Sequence, residues 1–346
     1  MTTLVTGATG FVGSHLVRLL AARGQRVRAL VRPNPASPPI DILAGIPVER
    51  AIGDLRDASS LAAAMEGVDT VFHVAADYRL WAPDPAEIYS SNVQGTCNLL
   101  SVARAAGVRK FVYTSTVATI AVARSGPLPN EATRASVAEM IGHYKRSKFL
   151  AEQESLGAAA EGFPVVIVNP TTPVGAGDWK PTPTGKIILD FLNGRMPAYV
   201  DTGLNVVPVE DVAQGHLLAA ERGRTGERYI LGGRNMTLKE ILDVLAQITG
   251  SRAPRIRLPH AVALVAACAD HLVSRVLRRE PRIPLDGVRM ARHKMFVDGS
   301  KAERELGYAP GSVEAALERA VRWYEENGYV TRRSGVARAA HSQEAA

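Results

Sequence analysis

Tyr144 and Lys148 stand four residues apart in HYKRSK, and three consecutive hydroxyl residues, Thr114, Ser115 and Thr116, close the apolar run FVYTST upstream. On a helix, positions i and i+4 project from one face, which brings a phenol and an ammonium together. A free phenol has a pKa near about 10, too high for easy proton exchange at neutral pH, and a neighbouring ammonium favours its ionised form. So tuned, Tyr144 can give a proton to a carbonyl oxygen or take one from an alcohol. A hydroxyl fixed at a strand end would hold the reacting oxygen beside it. Solvated helices often carry Tyr and Lys at this spacing, so the pair gains meaning only from its surroundings.

The glycine-rich run TGATGFVG supplies that context. Gly7, Gly10 and Gly13 fall between the apolar Leu4 and Val5 and a helical stretch from His15 to Ala22, with Thr9, Phe11 and Val12 in the same turn. Glycines there allow a tight turn, close approach of a pyrophosphate and close packing of helix on strand, while the helix N-terminus offers amide donors. A nicotinamide dinucleotide is therefore expected. An NAD-preferring protein would place an acid at the end of the second strand, RVRALVR, but nothing acidic occurs before Asp41. Arg32 stands at that end, and its guanidinium fork suits a ribose 2′-phosphate better than it suits a plain loop charge, which favours NADP(H) over NAD(H).

Short apolar runs, TTLVTG, RVRALV, TVFHVA, KFVYTS and PVVIVNP, alternate with helix-length segments through the first half. That alternation predicts an α/β fold, a doubly wound parallel sheet covered by helices on both faces. Asp57 and Gly67 bracket SSLAAAME as a helix cap and stop. After Pro170 comes PTTPVGAGDWKPTPTG, a Pro-, Gly- and Thr-rich loop long enough to line a site, then a helix near Lys186 to Asn193 and a largely helical remainder. The division expected is 1–170 with 207–235 for the dinucleotide, 171–206 with 236–330 as a smaller discontinuous substrate lobe, and 331–346 as a disordered tail.

The 346 residues, 46% hydrophobic and 22% charged, suffice for a large core. The formal charge of +7 suits an anionic cofactor, and arginines spread over several helical segments do not suggest nucleic acid. Cys97 and Cys268 are the only cysteines, without C-x-x-C or a histidine cluster, so neither a disulfide framework nor a metal site is expected and a reducing cytoplasm fits. The chain enters an apolar strand at Leu4 with no basic leader or cleavage site, so export is not expected. The segment LPHAVALVAACADHLVSRVLRRE, with Arg275, Arg278 and Arg279, reads as a buried helix of the substrate lobe with a basic C-terminus in preference to a membrane-surface helix.

The spacing G-x-x-G-x-x-G, with the hydroxyl triplet and Tyr-x-x-x-Lys, resembles the extended short-chain dehydrogenase/reductases. HVAADYRLW, NVQGTCNLL, NPTTPVG and NVVPVEDVA carry the likeness over most of the chain, and HVAADYRLWAPDP with NPTTPVGAGDWKPTPTG narrows it to the dihydroflavonol-4-reductase-like group, similar to the hopanoid-associated sugar epimerases. The resemblance implies a Rossmann fold and makes Thr116, Tyr144 and Lys148 the catalytic set. It also implies that Asp54 meets the adenine, that Lys148 holds the nicotinamide ribose, and that Leu55, Ala75, Ala76, Thr114, Pro170 and Thr172 line the cofactor. It further implies a homodimer through helices near Asn92 to Ala106 and Tyr144 to Leu156. Asp77, Tyr78, Trp81 and Trp179 are candidates to touch a small-molecule substrate at the carboxyl ends of the strands. His73 reads as a packing residue, and Met295 and Phe296 as core.

Three functions follow in order. The first is a reductase acting on a ketone or secondary alcohol of a polycyclic or sugar-like compound, in hopanoid metabolism. The second is a sugar epimerase that retains its cofactor, and the third a non-catalytic NADP sensor. NPTTPVG in place of the Asn-Val-Tyr-Gly-Pro-like run of sugar-nucleotide epimerases favours the first.

Overall fold

A computed structural model describes residues 1–32, 41–120, 126–277 and 279–331. Arg278 and residues 332–346, nearly all of the expected tail, lie outside it. A seven-stranded parallel sheet forms the centre. Its first six strands are β1 Thr2–Thr6, β2 Arg26–Val31, β3 Glu49–Ile52, β4 Val68–His73, β5 Lys110–Thr114 and β6 Val165–Pro170. They lie in the order β6, β5, β4, β1, β2, β3, with strand Arg228–Leu231 outside β6. The chain thus starts in the middle, winds outward one way, and returns to wind the other, as doubly wound sheets do.

β1 and β5 are buried along nearly their whole length, as strands covered on both faces must be. One face packs Leu16, Val17 and Leu20 of helix Phe11–Ala22 against helix Val209–Arg222, and the other packs helices Ala58–Met65, Gly95–Ala105 and Gly142–Ala160. Asp57 caps Ala58–Met65 by accepting from the Ser59 amide at 3.0 Å. The helix read near Lys186 runs over Pro183–Leu192, capped by Thr182.

A second sheet joins Thr172–Val174, Gly203–Pro208, Arg234–Thr237 and Lys294–Met295. Helices Pro183–Leu192, Leu238–Thr249 and Val313–Glu326 pack with it around Ile188, Met236, Leu242 and Leu317. Two readings are corrected in this part of the chain. Helix His260–Val276 is not buried, since its outer face carries most of its valines and leucines in solvent. Met295 and Phe296 are only half-buried because they border a recess beside β5 rather than the core.

Candidate active site

The carboxyl ends of β1, β4 and β5 come level, Thr6 pairing with His73 and His73 with Tyr113. Loops leaving this edge converge, as they do wherever parallel sheets bind ligands. Gly7, at φ +66°, turns the chain out of β1; a Cβ there would stand 2.7 Å from the Ala75 backbone, and one on Gly13 only 2.1 Å from the Gly7 carbonyl oxygen. Only glycines let β1, the loop after β4 and the first helix meet this closely. Gly10 begins that helix without a side-chain cap or an acid in its first turn. The amides of Phe11, Val12 and Gly13 therefore lack intrahelical acceptors, a cradle that fits a dinucleotide pyrophosphate.

Arg32 stands exposed beyond β2. Asp54, after β3, is held down at about 2, chiefly by the hydrogen-bonded guanidinium of Arg56 at 2.6 Å, with Arg32 adding a smaller push. Leu55 is buried against Gly95, whose Cβ would lie 2.8 Å from that of Leu55. Ala75 and Ala76 are half-buried after β4, and the Ala75 amide donates to the Thr6 hydroxyl at 3.1 Å. Beneath them His73 accepts from Thr6 at Nδ1, 2.8 Å, and donates from Nε2 to Thr96, 3.0 Å, because the Thr96 hydroxyl is already spent on the Asn92 carbonyl. Burial pulls His73 down to about 3, so it is a neutral strut.

At the end of β5 the three hydroxyls part ways. Thr114 donates to His216 Nε2 at 2.8 Å, while Nδ1 of that ring donates to the Val212 carbonyl at 2.7 Å. Ser115 is buried with no partner for its hydroxyl among the described residues. Thr116 alone is half-exposed, and its hydroxyl lies beside the Tyr144 phenol. Burial pushes that phenol up to about 12, opposed by Thr116. Lys148 is buried one turn on; its Nζ donates to the Thr114 carbonyl at 2.7 Å and sits 4.4 Å from the Tyr113 ring centre. Burial pulls Lys148 down to about 7, and the Glu152 carboxylate pulls it partly back. The downward shift of Tyr144 expected from Lys148 is absent from this arrangement, because the ammonium is drawn to a strand carbonyl and an aromatic face.

Pro170 is buried at the end of β6 and Thr172 half-buried one strand further. Asp77 is clamped by Asn92, which accepts from its amide at 2.7 Å, and its carboxylate is bound to Arg79 at 2.6 Å. The Tyr78 hydroxyl donates to the Lys180 carbonyl at 3.1 Å, Trp81 is half-buried nearby in sequence, and the Trp179 indole donates to the Thr9 carbonyl at 2.9 Å. The Pro-rich loop thus reaches back to the glycine turn.

Three features escape a reading of the sequence. Asn92 also donates to Ser147 at 2.9 Å, tying the loop after β4 to the Tyr144 helix. Glu152, wholly buried, accepts from Thr119, Asn169 and Arg228 at 2.8, 2.8 and 3.1 Å, and Asn169 also donates to the Thr116 carbonyl at 3.1 Å. Lys145 is only 7% exposed, and its ammonium lies 3.9 Å from Met295 Sδ with no carboxylate partner among the described residues. Burial pulls that ammonium down to about 8. It borders a small recess, open to solvent, with Val117, Ala118, Ile120, Met295 and Phe296. The only signal in the sequence was a second lysine, besides Lys148, inside the HYKRSK motif.

Comparison with known proteins places this geometry. The profile of the "NAD dependent epimerase/dehydratase family" matches residues 3–232. The chain belongs to that family. It is 49% identical over 330 residues to a putative dihydroflavonol 4-reductase of Synechocystis sp., covering 94% of this chain and 95% of that one. It is 40% identical over 332 residues to sterol demethylase protein B of Methylococcus capsulatus, covering 95% of this chain and all of the other. The crystal structure of gox2253 superposes with a TM-score of 0.85 at 46% identity, over 95% of this chain and 99% of that one. The resemblance drawn from the motifs and the doubly wound fold are both borne out. As a member of this epimerase/dehydratase family, the protein is an oxidoreductase of the extended short-chain kind that takes a nicotinamide cofactor.

Proposed function

We propose that the protein is an NADP(H)-preferring reductase that interconverts a ketone and a secondary alcohol on an apolar, polycyclic body. The supporting observation is the recess lined by Val117 and Lys145, the chain neighbours of Thr116 and Tyr144, together with Ala118, Ile120, Met295 and Phe296. Its mainly apolar lining suits ring carbons at the edge of a substrate, whereas the hydroxyls of a sugar would lose water there and find few partners. Lys145, the charged group of that wall, suits an acceptor oxygen on the same body. Similarity to proteins named for a dihydroflavonol and a sterol points the same way.

In this reading Thr116 orients the reacting oxygen. Tyr144, protonated at neutral pH, gives its proton to a carbonyl oxygen. Lys148 holds the nicotinamide ribose. Gly7, Thr9, Gly10, Phe11, Val12 and Gly13 hold the pyrophosphate, Arg32 the 2′-phosphate, and Asp54 and Leu55 the adenine. Ala75, Ala76, Thr114, Pro170 and Thr172 line the remainder, and the bound nicotinamide supplies or accepts hydride. Asp77, Tyr78, Trp81 and Trp179 form the mouth. Residues 1–170 with 207–235 serve the cofactor, and 171–206 with 236–330 the substrate. The proposal extends to a cytoplasmic homodimer joined through helices Gly95–Ala105 and Gly142–Ala160, acting in hopanoid metabolism.

Denaturing freshly purified protein and identifying the released nucleotide tests the cofactor assignment. Little nucleotide, or substoichiometric NADP(H), is expected from an exchanging reductase. Near-stoichiometric NAD(H) would replace it with a sugar epimerase that retains its cofactor. Tyr144→Phe is expected to lower ketone turnover by about 10²- to 10⁴-fold while leaving nucleotide affinity unchanged, and full turnover in that variant would remove Tyr144 from the mechanism.

A further inference from the structure

Helix His260–Val276 turns most of its apolar side chains outward. Only Ala267 and Ser274 are buried, while Val262, Val265, Leu272 and Val276 are exposed by 52, 70, 64 and 75%. These four stand at i, i+3, i+10 and i+14, a stripe along one face, and Val273 and Leu277 widen it. An exposed apolar stripe of this extent marks a contact surface.

The charge around it says with what. Residues 251–292 contain nine arginines and three acids, a net +6 in a chain whose formal total is +7. Asp270 and Asp286 are bound to Arg279 and Arg289 at 2.8 and 3.2 Å. Arg275 and Arg282 are exposed, with no acidic partner among the described residues. The segment contains no Phe, Tyr or Trp on which bases could stack.

We propose that this face docks on an anionic lipid bilayer, the helix lying in the interface with its stripe toward the acyl chains and its arginines among the phosphates. A second copy of the chain would instead oppose two such surpluses of positive charge. No helix among the described residues is long and apolar enough to cross a membrane, so the contact is a surface one. Helix Leu285–Met290 links this face to the cleft. The His260 ring bonds the Val288 carbonyl at 2.7 Å, and Asp286 lies where a Cβ on Gly142, two residues before Tyr144, would meet its carboxylate at 2.5 Å. Docking therefore brings the candidate site close to lipid.

Flotation of the full chain with phosphatidylcholine vesicles, with and without phosphatidylglycerol, tests this. The protein is expected to float with the phosphatidylglycerol vesicles at low salt, about tenfold more than with phosphatidylcholine alone, and to be released by high salt. Val265→Asp with Leu272→Asp is expected to cut flotation about tenfold or more while circular dichroism and nucleotide binding stay unchanged. Arg275→Glu with Arg282→Glu is expected to do the same. Protein that stays down with anionic vesicles overturns the proposal, as does flotation indifferent to both pairs of substitutions. So does an unchanged parent that fails to float but dissociates from dimer to monomer when Val265 and Leu272 are replaced, since the face then belongs to a second copy.

Discussion

Lys145 is a largely buried cation with no carboxylate partner among the described residues, and the folded state bears that cost. Its folded pKa, about 8, lies below the ordinary 10.5, so the penalty is full below pH about 8 and gone above about 10.5. Lys145→Met is therefore expected to raise stability by on the order of 1–3 kcal/mol at neutral pH, as read by chemical denaturation. If Lys145 meets the substrate, the same variant raises KM for the ketone and leaves nucleotide affinity alone. Lys148 gives a second test. With its pKa near 7, kcat/KM for reduction is expected to fall as pH rises through about 7 and the ammonium proposed to hold the nicotinamide ribose is lost. Glu152→Gln removes the carboxylate that raises Lys148, so the inflection moves lower, and a profile unmoved by that change would detach Lys148 from catalysis. The Tyr, Lys and Thr116 positions were legible because their spacing and strand-end context carry the chemistry. Lys145 was not, because its meaning comes from Met295, 150 residues away.

Two buried imidazoles tie elements together: His73 spans β1, β4 and the Gly95–Ala105 helix, and His216 joins Val209–Arg222 to β5. Burial holds them at about 3 and about 4, both below the ordinary 6.5. An unfolded chain takes up protons that the folded one refuses, so stability is lost as pH falls from about 6.5 toward those values. By pH about 5 the loss is roughly 2 kcal/mol for each ring. Denaturation midpoints measured across that range are expected to fall, and His216→Gln to flatten the curve. A flat curve for the parent would mean that these rings are not buried neutral. β1, β2, β4, β5 and β6 were readable as apolar runs bounded by turn residues. The second sheet was not, because its two- to six-residue strands come from segments up to 120 residues apart and acquire partners only in the fold. Helix His260–Val276 misled for the opposite reason: composition registers apolarity but not which way it faces.

At the scale of the molecule, the glycine turn and the Pro-rich loop close one cleft. The Trp179 indole holds the Thr9 carbonyl, His15 Nε2 reaches the Ala176 carbonyl at 2.9 Å, and the Tyr329 hydroxyl holds the Trp179 carbonyl at 2.6 Å. A nucleotide bound in this cleft stabilises the folded chain by mass action. NADPH at 100 times its Kd is expected to add about 2.7 kcal/mol, seen as a raised Tm, and Arg32→Asp to transfer that benefit to NADH. Equal shifts with both nucleotides before and after the change would remove Arg32 from cofactor choice.

The Trp179 bond also makes the protein its own optical gauge. An indole fastened to the pyrophosphate turn registers occupancy of that turn as a change in emission. The chain has only three tryptophans. With Trp81 and Trp323 replaced by phenylalanine, the glow of a single ring would follow each dinucleotide as it arrives and leaves, with no label attached and no substrate added.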